Sequence, residues 1–67
     1  MQLIRDKWYS IEYAGVKENA KYLGTIESDN VEYVFAFVAT RKDGTTYPCT
    51  LTYNDYFVET RVKEIQE

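Results

Sequence analysis

The fold this sequence predicts is all-β or β-rich α+β: a small antiparallel meander of four or five strands around a central hairpin over residues 31–53. Three observations predict it. Val31 to Ala39 is dense in β-branched and aromatic residues, which suits a strand. Thr45 to Tyr53 alternates, with Tyr47, Cys49, Leu51 and Tyr53 on one side and Thr46, Pro48, Thr50 and Thr52 on the other. Between them, Lys42-Asp43-Gly44 has the composition of a hairpin tip.

The tip fixes the register. A two-residue Asp43-Gly44 loop sets Phe35 and Phe37 against threonines. A three-residue loop with Gly44 left-handed pairs Arg41 with Thr45. Tyr33 then faces Tyr53, Phe35 faces Leu51, Phe37 faces Cys49 and Ala39 faces Tyr47. Slipping by one residue reverses every side chain, and only the longer loop brings the aromatics together. That register leaves Val34, Ala36, Val38 and Pro48 on the opposite face among threonines. The face is too apolar to stay fully wet, so either the N-terminal segment covers it or it forms a homodimer face. Pro48 has no amide to donate, so its nitrogen belongs on the side away from a partner strand or at a bulge.

The flanking elements follow in chain order. Residues 7–13 set Tyr9, Ile11 and Tyr13 against Trp8, Ser10 and Glu12, a first strand. Val16, Ala20 and Leu23 share a helical spacing, and Gly24 suits a left-handed cap. A loop or short helix near 15–23 is therefore expected, with a strand near 21–27. Ser28-Asp29-Asn30 is a turn by residue type. Asn54-Asp55 is a turn or a helix N-cap. Residues 56–65 read either way: Tyr56, Phe57, Val58, Thr60 and Val62 favour a strand, while Phe57, Val58, Val62 and Ile65 also make a helical stripe. The propensities tip the balance towards a strand.

At 67 residues the chain is expected to form a single domain, 1–67, near the size at which one core barely offsets chain entropy. One cysteine, Cys49, permits no internal disulfide, and no histidine is present. The usual zinc frameworks are thereby removed. No stretch approaches the roughly 18 apolar residues of a membrane span. The N-terminal residues are charged from Arg5 onward and lack a signal peptide's apolar core. With a lone thiol, a cytoplasmic location is the expectation.

Chemistry finds little purchase. Without histidine there is neither a Ser-His nor a Cys-His pair, and Cys49 falls on the aromatic face as a small hydrophobe. No carboxylate pair sits where an apolar setting would split its pKa values. Gly15, Gly24 and Gly44 stand apart and cradle no phosphate. Glu27, Asp29 and Glu32 do not match a calcium loop, which takes about a dozen residues around a glycine. The expectation is a non-enzymatic protein with no cofactor and no metal.

Charge and tyrosine suggest what it does instead. Residues 22–40 hold Glu27, Asp29 and Glu32 and no lysine or arginine, while the remaining chain holds eight acids and eight bases. The net charge of −3 therefore sits on one turn and one strand. Such a patch steers a basic partner. Of the seven tyrosines, Tyr33, Tyr47 and Tyr53 fall on the core face, whereas Tyr22 and Tyr56, near turns, are expected to be exposed contacts. The leading expectation is a small acidic protein-binding domain, an inhibitor or adaptor for a basic nucleic-acid-binding protein, with carboxylates standing in for phosphates as in a DNA mimic. Two alternatives are a single-stranded nucleic-acid binder using exposed aromatics and a structural assembly subunit. Direct nucleic-acid binding wants a basic groove, and Lys17 with Lys21 or Arg41 with Lys42 make only small pairs.

Overall fold

Two-residue periodicity governs most of the chain in a computed structural model, which describes residues 2–65. The strands are β1 (Trp8–Tyr13), β2 (Val16–Glu27), β3 (Val31–Thr40), β4 (Thr46–Tyr53) and β5 (Val62–Glu64), with α1 (Asp55–Arg61) between the last two. They form one antiparallel sheet in the order β4-β3-β2-β1-β5.

The central hairpin has the predicted register. Tyr33 pairs with Tyr53, Phe35 with Leu51, Phe37 with Cys49 and Ala39 with Tyr47. At the tip the Arg41 amide donates to the Thr45 carbonyl at 2.8 Å, and Gly44 is left-handed with φ of 91°. The Asp43 carboxylate accepts from the Thr45 amide and hydroxyl. Bonded and non-bonded pairs alternate along an antiparallel ladder. Counting from Arg41–Thr45, Val38–Pro48 is a non-bonded pair, and the proline nitrogen faces the free edge of β4.

The loop or short helix expected near 15–23 is corrected: Gly15 belongs to the β1–β2 turn and residues 16–23 lie in β2. The spacing of Val16, Ala20 and Leu23 misleads because β1 and β2 form a tight hairpin. Tyr13 pairs with Val16, and the two residues between them, Ala14 and Gly15, both have positive φ, as a type I′ turn demands. An alanine there hides the turn. Ala20 and Tyr22 then face the core at strand spacing, and Leu23 sits at an irregularity between the Tyr22 and Gly24 pairs, 40 % exposed.

The preference for a strand throughout 56–65 is also corrected. Residues 55–61 are helical and only 62–64 are strand. The Asn54 side chain caps the helix by accepting from the Phe57 amide at 2.9 Å. Asp55 in the first turn and Arg61 in the last both suit the helix dipole. Topology is the deeper reason. From β4 at one edge the chain must reach β1 at the far side, and a helix crosses the core face while burying Val58.

The core is Tyr9, Ile11, Ala20, Tyr22, Phe35, Phe37 and Tyr53 from the sheet, closed by Val58 and Val62. The Tyr53 hydroxyl donates to the Glu12 carbonyl at 2.6 Å, so the sheet curls enough for β4 to reach β1 across the core. Leu3 packs against this core, and the Ile4 amide donates to the Tyr9 hydroxyl. The N-terminal segment also covers part of the outer face, where the Arg5 side chain lies over Gly24 beside Ile26 and Val34, but it leaves Val38 57 % exposed. No described helix is long and apolar enough to cross a membrane.

Candidate functional site

The end of the sheet that holds the β2–β3 turn gathers the unopposed acids. Glu27 closes β2 opposite Val31, Asp29 sits in the bend at 28–30, and Glu32 in β3 pairs with Ile26. Alternation along β3 separates two of them. Glu32 shares the outer face with Val34, whereas Glu27 and Val31 share the side of Tyr33 and Phe35. The acids therefore wrap around the end of the hairpin.

Helix α1 begins beside this end and contributes a fourth acid. The Tyr33 hydroxyl donates to Asp55 Oδ1 at 2.6 Å, joining β3 to the first turn of α1. Asn30, Val31, Glu32, Asn54, Asp55 and Tyr56 line a cleft of about 400 Å³. The Asp55 carboxylate favours the neutral Tyr33 phenol through their hydrogen bond. Some desolvation and the negative charges of Asp55 and Glu27 raise its pKa further above the ordinary tyrosine value.

Two residues expected at the site fare differently. Tyr56 is 65 % exposed on the wall of the cleft. Tyr22 is 6 % exposed and belongs to the core, its ring packed on Phe35 and its hydroxyl hydrogen-bonded to Thr25, so the expectation of an exposed contact is corrected. Strand alternation from Ala20 puts Tyr22 inside. Tyr47, expected in the core, instead lies at the rim, 36 % exposed under the Arg41 guanidinium. The residue that sequence reasoning missed is Asp55. Its signal was the Asn54-Asp55 cap, but its proximity to Glu32 depends on the fold.

Among the described residues, the ion pairs within 4.0 Å are Lys7–Glu64 and Lys21–Asp6, and neither involves Glu27, Asp29, Glu32 or Asp55. Nor do any three acidic or sulfur ligands among those residues converge into a metal cage. The arrangement presents open carboxylates and a tyrosine ring, which recognise cationic groups by hydrogen bonding and by cation–π contact. No family model, curated protein or solved structure matches the chain.

Proposed function

We propose that this chain is a small non-enzymatic protein-binding module whose acidic end engages a basic partner, with a nucleic-acid-binding protein as the favoured class. One observation supports this reading above the others: Glu27, Asp29, Glu32 and Asp55 meet at one end of the sheet with no described cation paired to them. A surface that meets a phosphate backbone is cationic, and carboxylates spread around a protruding turn offer it a competing polyanion. Bound there, the module acts as an inhibitor or adaptor. Self-association through Val34, Ala36 and Val38 is compatible with this role, because the acidic end lies beyond the apolar centre of that face.

The test is affinity capture with the tagged protein and its Glu27→Gln/Asp29→Asn/Glu32→Gln variant from nuclease-treated and untreated lysate. A basic protein retained after nuclease, released by salt and lost with the variant is the expected result. Equal capture by the variant sinks the proposal, as does retention that disappears with nuclease. Single-strand binding, the second reading, rests on Trp8, which is 48 % exposed beside Lys21. It requires Trp8 fluorescence quenching by an oligonucleotide with a steep salt dependence.

A further inference from the structure

We infer that the outer face where β2, β1 and β5 run side by side holds the phosphate of a nucleotide between Lys17 and Lys63, with the base on Trp8. The two ladders set Asn19, Ser10 and Lys63 in one row across these strands. Tyr9, Ala20 and Val62 are buried, so alternation turns that row outward, together with Trp8, Lys17 and Lys21. Ser10, Lys17, Asn19, Lys63, Glu64 and Ile65 line a cleft of about 580 Å³. Lys63 comes from the far end of the chain and joins the other two lysines only through the β1–β5 pairing.

The donors here are uncommitted. Arg41 and Arg61 are stacked on Tyr47 and Phe57, and Lys7 is paired with Glu64. Among the described residues, no carboxylate lies within 4.0 Å of Lys17 or Lys63. Nor does any hydrogen bond among them use the Ser10 hydroxyl or the Asn19 side-chain amide. Two ammonium groups, a hydroxyl and an amide around one cleft match the several acceptor oxygens of a phosphate.

The acids nearby do not cancel this charge. Glu12 lies opposite Lys17, and Asp6 stands 4.0 Å from Lys21. Lys17, Lys21 and Lys63 outnumber them. Glu64 is at the rim, but its register with Tyr9 turns its side chain to the other face, where Lys7 holds it at 3.4 Å. Trp8, 48 % exposed, stands on the same face of β1 two residues from Ser10. That spacing is about 7 Å, the reach of one nucleotide from phosphate to base. A base stacks on an exposed indole whatever its identity. The inference deepens the single-strand reading at Trp8 and leaves the acidic end of the sheet to the partner.

Quenching of Trp8, the one tryptophan of the chain, tests it with thymidine 5′-monophosphate, thymidine, inorganic phosphate and oligothymidylate. The monophosphate should quench saturably, thymidine much more weakly, and inorganic phosphate should compete. Lys63→Gln, with a native far-UV CD spectrum, should weaken the monophosphate about tenfold, and Lys63→Arg should recover most of that. For oligothymidylate, Lys63→Gln should also lower the salt slope by about one. Thymidine as effective as its monophosphate overturns the inference, as does quenching that never saturates. Inorganic phosphate that shifts the Ser10 and Asn19 amides in NMR spectra, with no quenching by the monophosphate, assigns the cleft to a free oxyanion and overturns the nucleotide. Oligothymidylate quenching that Lys63→Gln leaves unchanged also overturns it, while sparing the single-strand reading.

Discussion

The Tyr33 hydroxyl and the Asp55 carboxylate, 22 positions apart in the chain, meet at 2.6 Å and tie the central strand to the first turn of the helix. The contact brings the N-terminus of α1, and with it Asn54 and Tyr56, against the acidic turn.

Alkaline titration should expose this contact. The folded-state pKa of Tyr33 is raised, chiefly by its hydrogen bond to Asp55. Tyr53 is raised too, by burial that outweighs the opposing Arg61 charge. Raised values favour the neutral phenols, so their contribution to stability is complete below the ordinary tyrosine pKa of about 10 and is lost as pH climbs through the folded values. Asp55→Ala should return Tyr33 towards the ordinary value and leave Tyr53 late. Residue-resolved NMR titration of the tyrosine rings checks this, and an unchanged Tyr33 would contradict it.

Ala14 is the position where substitution should stabilise. An L-residue with a side chain pays about 1–2 kcal/mol in the left-handed region, where asparagine and glycine are better tolerated. Ala14 has φ of 51°. Ala14→Asn creates the Asn-Gly pair that type I′ turns favour and should add about 0.5–1 kcal/mol. Urea unfolding measures it, with a higher midpoint expected and an unchanged slope.

Loss of the cap should cost in proportion. Asn54→Ala removes the acceptor for the Phe57 amide and should destabilise by about 1 kcal/mol. In a domain this small that lowers Tm by roughly 4–8 °C. Asn54→Asp keeps an acceptor and should recover most of the loss in the same thermal scan.

Pro48 should guard the β4 edge. Pro48→Thr restores an outward amide to a strand already rich in threonine, and light scattering should then detect slow association that the parent does not undergo. A Pro48→Thr protein as free of aggregation as the parent would show that the edge needs no guard.

The central hairpin was legible in the sequence because two independent signals agreed. The Asp43-Gly44 tip permitted two registers, and only one paired Phe35 with Leu51 and Phe37 with Cys49. Elsewhere a single signal spoke alone and misled. Val16, Ala20 and Leu23 imitate a helix because no glycine or asparagine at position 14 announces the turn. Tyr56, Phe57 and Val58 imitate a strand because local propensity knows nothing of the crossing from β4 towards β1. At the candidate site, Glu27, Asp29 and Glu32 were legible as neighbours in sequence, and Tyr56 as an exposed aromatic. Asp55 was not, since its place beside Glu32 depends on long-range pairing.

The seam between β1 and β5 has a mechanical consequence. Tyr9 pairs with Glu64 and Ile11 with Val62, so residues 8 and 64 enter the seam at the same end. Pulling them apart loads the hydrogen bonds one after another, like a zip, and no step shears several at once. Under tension β5 should peel away first and take α1 with it, baring Tyr9, Ile11 and Phe35 while the hairpin of β3 and β4 still holds. Such a chain yields at low force from its closing strand inward.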